Sequence, residues 1–214
     1  MKSTLETILE SGLVAIIRHT EARGLIEVMR AIAAGGIRVA EVTFTVPDAV
    51  EVLKEAKKSL KDDVLLGAGT VLDPETCRAA LLAGAEFIVS PTVNREVIAM
   101  CRRYNKVVMP GAFTPTEILT AWEAGADIVK VFPSEVLGPA FFRAVLRPLP
   151  QVRLMPTGGV ELKSVADYVK AGACCLGIGS PLVDPKWVAS QDYSALTQRA
   201  KEFVDALRKA RQQV

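Results

Sequence analysis

A short apolar strand, a turn of Gly, Pro, Ser and Thr, and an amphipathic helix recur eight times along 214 residues. Alternating strands and helices require parallel strands joined by crossover connections. Eight such units with no linker or low-complexity stretch between them predict an α/β fold, a (β/α)8 or TIM barrel, formed as one domain over residues 1–214. A doubly wound open sheet is the alternative. That fold usually carries a nucleotide-binding glycine fingerprint after its first strand, and the "IIRHTEARG" found here is not one.

The elements follow in order. Residues 2–11 predict an extra helix ahead of the barrel. The strands read "LVAIIR" (13–18), "VAEVTFT" (39–45), "VLLGAGTV" (64–71), "FIVSPTV" (87–93), "VVMPGAF" (107–113), "IVKVFP" (128–133), "RLMPTGG" (153–159) and "CCLGIGS" (174–180). Each gap holds one helix, and "AIAAGG", "LLAGA", "WEAGA" and "VKAGA" supply the glycine that ends a helix. Pro47, Pro74 and Pro115 stand where a first helical turn should begin. Residues 193–211 predict the last helix.

Composition narrows the function. Twenty-six basic against 24 acidic residues leave a net charge of +2, which is no footprint for nucleic acid or anionic lipid. The one charge cluster, 54–63, mixes signs as a solvated helix end does. There is no signal-peptide layout and no apolar run long enough to span a membrane. Cys77, Cys101, Cys174 and Cys175 lack metal-ligand spacing, and His19 is the only histidine, so a structural metal is not expected. The first two cysteines fall on helices and the adjacent pair on a strand. All four read as reduced core residues, which places the chain in the cytoplasm. Met29, Met100, Met109 and Met155 read as core fillers, Trp122 and Trp187 as packing residues, and His19 as incidental.

In a barrel the chemistry sits at the C-terminal ends of the strands. Two charges interrupt otherwise apolar strands. Side chains alternate between faces of a strand. Val129 and Val131 share one face of the sixth strand, and Ile128, Lys130 and Phe132 the other. In the second strand Glu41 shares its face with Val39, Thr43 and Thr45. The purely apolar faces suit the helix layer, so Lys130 and Glu41 are predicted inside the barrel. A structural ion pair is the bland reading, but buried pairs are weak sources of stability. A buried lysine loses its proton more readily, and the free amine forms a Schiff base with a carbonyl. A nearby carboxylate can move the protons this requires.

"MPTGGV" and "GIGSPL" follow the seventh and eighth strands. Glycine turns there expose backbone N–H groups, a frequent phosphate site of this fold, and Thr157 and Ser180 would add hydroxyls. The glycines of "GAGTV" read equally as crowding or as close approach at a site.

Read in order, "EVTFTVPDA", "GAGTV", "FIVSPTVN", "MPGAFTPTE", "KVFPSE", "MPTGGV" and "GIGS" resemble motifs of the small class I aldolases for 2-keto-3-deoxy-6-phosphogluconate (KDPG). Many of these enzymes also act on 4-hydroxy-2-oxoglutarate (KHG). The resemblance implies Lys130 as the Schiff-base lysine and Glu41 as the general acid/base. It implies Thr70, Pro91 and Phe132 in the substrate pocket, and Gly158, Gly159 and Ser180, with Gly179 and Thr157 beside them, around the phosphate. Some members carry a carboxylate-binding arginine four residues after the glutamate. Thr45 stands there, and Arg18 occupies the place where other members carry an arginine at the end of strand 1. The resemblance further implies a homotrimer, no metal or organic cofactor, and pyruvate and a phosphorylated keto acid as ligands. The expected reaction cleaves KDPG to pyruvate and glyceraldehyde 3-phosphate, and KHG to pyruvate and glyoxylate. The alternatives are the 6-phosphogalactonate epimer as substrate, a barrel isomerase without an imine, and a non-catalytic phosphosugar-binding barrel.

Overall fold

The computed structural model describes residues 2–61 and 63–213; Met1, Asp62 and Val214 lie outside them. The chain starts with α1 (Thr4–Ser11). Ser3 caps it: its Oγ accepts the Glu6 N–H, and the Glu6 carboxylate accepts the Ser3 N–H at 2.7 Å. Gly12 then reverses the chain at φ 66°. The first units are β1 (Leu13–Ile17), α2 (Leu25–Ala34), β2 (Val39–Thr43), α3 (Ala49–Leu60), β3 (Leu65–Gly69), α4 (Pro74–Leu82), β4 (Phe87–Val89) and α5 (Arg95–Arg103). The chain continues through β5 (Val107–Met109), β6 (Gly111–Ala112), α6 (Pro115–Glu123), β7 (Val129–Val131), α7 (Ser134–Leu146), β8 (Leu154–Pro156) and α8 (Val165–Lys170). It ends with β9 (Leu176–Ile178), α9 (Pro185–Ala189) and α10 (Tyr193–Arg211).

Neighbouring strands pair in parallel, in the orders β5-β4-β3-β2-β1-β9 and β6-β7-β8. β5 and β6 are two halves of one barrel strand broken at Pro110, which has no N–H for the ladder. Its carbonyl still accepts the Lys130 N–H at 2.9 Å. A parallel bridge between Thr157 and Gly177 joins β8 to β9 and closes the ring. The architecture is the expected (β/α)8 barrel with an extra N-terminal helix.

Two apolar layers follow from strand alternation. Ala40, Val42, Val129 and Val131 face the helices in the larger one. Val14, Val39, Phe87, Val89, Met109, Ile128 and Met155 fill the barrel interior. Ile8 of α1 belongs to that inner layer, with Leu5 and Leu9 packed against it, so α1 plugs the N-terminal end of the barrel. Arg211 at the end of α10 donates to the Leu9 and Glu10 carbonyls at 2.8 and 2.7 Å, which holds the plug in place.

Three expectations change. The strands stop short of the loop residues assigned to them; the one expected at 64–71 ends at Gly69, and the one at 39–45 ends at Thr43. Pro74 and Pro115 open their helices, but Pro47 does not. A turn closed by the Val46 N–H on the Thr43 carbonyl delays α3 until Ala49. Cys174 and Cys175 precede β9 rather than lie on it, because β1 begins pairing only at Leu13 with Leu176. Met29, Met109 and Met155 are buried, Met100 packs against the core, and both tryptophans are half-buried under arginines. Lys54, Glu55, Lys57 and Lys58 are exposed as expected, while Asp62 of that cluster lies outside the described residues.

Candidate active site

Lys130 is the middle residue of β7, and β7 pairs it with Gly111 on one side and Met155 on the other. Its flanking valines are drawn to the helix layer, so the lysine must point inward. It is 3% exposed. Glu41, on the inward face of β2, is 1% exposed. Burial lowers the Lys130 pKa, against an opposing pull from Glu41, and the Arg18 charge lowers it further. Burial likewise raises the Glu41 pKa, against the attraction of Lys130 and Arg18. Both groups are thus pushed toward neutrality, as desolvation requires. Neither takes part in any ion pair among the described residues. Both Glu41 oxygens are buried without a hydrogen-bond partner among the described residues. An isolated amine and an isolated carboxyl in one barrel are costly to keep for stability alone.

The glycines of "GAGTV" divide the work. A Cβ on Gly67 would strike the Phe87 ring, whereas one on Gly69 would strike the Glu41 carboxylate. Gly67 therefore serves packing and Gly69 makes room for the acid. Thr70, next in line, is held at φ 58°, a left-handed conformation uncommon for a β-branched residue.

Above Lys130 opens a cavity of about 410 Å³. Arg18, Lys130, Phe132, Thr157, Gly158, Gly159, Gly179 and Ser180, all expected from the sequence, share its wall. The Lys130 Nζ lies 5.0 Å from the centre of the Phe132 ring. Arg18 is exposed at the rim. Gly158 and Gly159 adopt φ 89° and 68°, so a side chain at either would strain the turn. The Thr157 hydroxyl oxygen is buried with no hydrogen-bond partner among the described residues. Thr45, Thr70 and Pro91 do not line this cavity. Thr45 is exposed with its Oγ1 2.8 Å from that of Thr43, and the Pro91 carbonyl lies against Gly111. His19 lies in a different depression, where its Nδ1 accepts the Glu21 N–H at 3.2 Å.

Sequence reasoning missed the support behind the turn. Ser134 is fully buried. Its Oγ donates to the Val131 carbonyl at 2.7 Å and accepts the Thr157 N–H at 2.9 Å. Its own N–H donates to the Thr157 carbonyl at 2.8 Å, and the Tyr168 hydroxyl donates to the Ser134 carbonyl at 3.2 Å. The end of the lysine strand and the start of the glycine turn are therefore locked together. Ile16 also lines the cavity, and alternation with Val14 and Arg18 could have found it. Glu135, in the same wall, carried no signal beyond its place after "KVFPS".

Comparison with known proteins decides the family: KDPG and KHG aldolases match over residues 5–199. The chain belongs to this family. A 2-dehydro-3-deoxy-phosphogluconate aldolase of Treponema pallidum (strain Nichols) is 36% identical over 211 residues, covering 97% of this chain and all of the relative. A 2-dehydro-3-deoxy-6-phosphogalactonate aldolase of Escherichia coli K12 is 34% identical, covering 92% of this chain and 95% of that one. Among solved structures, a Legionella pneumophila KDPG aldolase holding pyruvate as a covalent carbinolamine superposes with a TM-score of 0.85 at 27% identity. The match covers 94% of this chain and 98% of that one. As a KDPG/KHG aldolase family member the protein is an aldolase, a carbon–carbon lyase. Among the described residues no helix is long and apolar enough to cross a membrane.

Proposed function

We propose that the protein is a class I aldolase that cleaves KDPG to pyruvate and glyceraldehyde 3-phosphate, and KHG to pyruvate and glyoxylate. The observation that carries this reading is the buried Lys130, pushed toward its free amine, with a buried and unpartnered Glu41 close enough to perturb it. Lys130 Nζ attacks the C2 ketone. Glu41, directly or through a water, gives a proton to the developing alkoxide, recovers one from the Lys130 nitrogen of the carbinolamine, and gives that proton to the departing hydroxyl, which leaves as water. The iminium draws electrons from the C3–C4 bond. Glu41 takes the C4 hydroxyl proton as that bond breaks, and the aldehyde departs. The enamine left on Lys130 is protonated at C3, and water hydrolyses the imine to pyruvate and free lysine.

Arg18 at the rim is the partner assigned to the substrate carboxylate, since Thr45 has no charge to offer. Phe132 packs beside the pyruvate carbons; Thr70 and Pro91, at the ends of β3 and β4, stand outside the cavity wall and would reach the substrate only from beyond it. Thr157, Gly158, Gly159, Gly179 and Ser180 hold the phosphate. Within this reading the chain acts as one domain over residues 1–214, as a cytoplasmic homotrimer, with no metal or organic cofactor. Light scattering on the purified protein reads the assembly.

Pyruvate with borohydride, followed by peptide mass mapping, tests the mechanism. A reduced adduct on Lys130 is expected; an adduct on another lysine refutes the assignment of Lys130, and no adduct refutes the imine and favours a barrel that only binds or isomerises. The phosphogalactonate epimer is a second reading, favoured by the 34% identical relative that acts on it. Comparing kcat/KM for the two epimers separates the readings.

A further inference from the structure

The cavity wall holds an anion where an anionic ligand is expected. Glu135, in the first turn of α7, shares that wall with Gly158, Gly159 and Ser180. Its Oε2 stands 3.0 Å from the place a Cβ on Gly159 would occupy, and 3.3 Å from that of Gly158. The carboxylate therefore lies directly against the glycine turn. Its charge reaches α8, where burial and then Glu135 raise the pKa of the Tyr168 phenol. No ion pair among the described residues involves Glu135. The charged side chains that share the cavity wall with it are Arg18 after β1 and Lys130 on β7, the latter held toward its neutral amine. The same wall also carries Thr157, whose buried hydroxyl lies against Gly177 with no hydrogen-bond partner among the described residues.

A phosphate monoester seated on this turn meets a carboxylate. Two full anions there repel, but a phosphate that keeps one P–O–H can donate it to the carboxylate. We infer that Glu135 is a specificity-determining residue that accepts the remaining P–O–H of a substrate phosphate monoanion and disfavours the dianion. The inference rests on the phosphate reading of the glycine turn. Nothing is transferred: the proton stays shared between the two oxygens, and only the binding of the two phosphate forms differs.

The test is steady-state kinetics on KDPG and on KHG between about pH 5.5 and 8.5, a range that brackets the phosphate pKa near 6, for the wild type and Glu135→Gln. The ratio of the two kcat/KM values cancels the titration of Lys130 and Glu41, which both substrates share. The distal carboxylate of KHG does not titrate in this range. In the wild type the ratio should fall about tenfold per pH unit above about pH 6. In Glu135→Gln it should be flat and should exceed the wild-type ratio at the alkaline end. A flat wild-type ratio, or the same slope in both proteins, overturns the inference. Gly159→Val distinguishes the two ways of failing. Equal losses on both substrates would remove the phosphate site itself, and the inference with it. A loss confined to KDPG, beside an unaltered slope in Glu135→Gln, would remove only the role of Glu135.

Discussion

Gly69→Ala should silence the enzyme without touching a reacting group. The added methyl would sit 2.7 Å from the Glu41 Cδ and 3.3 Å from its Cγ, with Oε1 closer still. Carbon atoms in contact prefer about 3.5–4.0 Å, so the carboxyl must retreat by roughly 1 Å. Gly69 pairs with Thr43 at the ends of β3 and β2, and its carbonyl accepts the Phe44 N–H at 2.8 Å, which limits how far its backbone can yield instead. A displacement of that size at a reacting group costs about 10²-fold in rate, equivalent to about 2.7 kcal/mol of barrel-wide positioning lost from the transition state. The assay is kcat for pyruvate release from KDPG, with the thermal midpoint measured in parallel. The variant should fold and still trap pyruvate on Lys130 under borohydride, only more slowly, because the amine is untouched while the acid that moves the imine's protons is displaced. Gly67→Ala is the control: its methyl meets Phe87 of the inner core, so it should lower the midpoint more than Gly69→Ala does. A wild-type kcat in Gly69→Ala would show that the position of Glu41 does not limit the reaction.

Arg18→Ala should weaken pyruvate binding by about 1.5–3 kcal/mol, roughly 10- to 150-fold in Kd, for loss of a charged hydrogen-bond partner. Arg18→Lys should rescue it only in part, since lysine lacks the planar fork; an unchanged Kd in Arg18→Ala would move the carboxylate contact elsewhere. Lys130→Met bears on the charge state. Burial depresses the folded-state pKa of Lys130, so between that value and the unfolded value near 10.4 the unfolded chain binds the extra proton, and wild-type stability rises with pH across the window. The inactive variant should therefore melt at or above the wild-type temperature at neutral pH, with the gap closing as pH nears about 10. A clearly lower melting temperature at neutral pH would mean that the lysine is charged and paired. Gly159→Val must hold a β-branched residue at φ 68°, with its Cβ 2.5 Å from that of Glu135. It should raise KM for KDPG more than for KHG, and equal rises would contradict a phosphate site.

The sequence by itself determined the barrel and most of the cavity wall. Strand periodicity is local, because neighbouring residues must face opposite sides. One lysine between two valines therefore announces its direction without knowledge of the partner strand. Glycine turns after the last two strands are local in the same way, since the left-handed backbone at Gly158 and Gly159 can be anticipated from residue type. Tertiary structure decided what lies between segments distant in the chain. Only barrel closure shows that Lys130 and Glu41 are both buried without forming an ion pair, which gives each a pKa shift in the direction the proposed chemistry requires. Only the packed structure separates Gly67, which clears Phe87, from Gly69, which clears Glu41, because the two glycines are identical to any local rule. The Ser134 lock and the carboxylate of Glu135 over the glycine turn were equally invisible. Their meaning depends on β7 and β8 lying side by side, and desolvation and through-space charge depend on every neighbour rather than on the residues next in line.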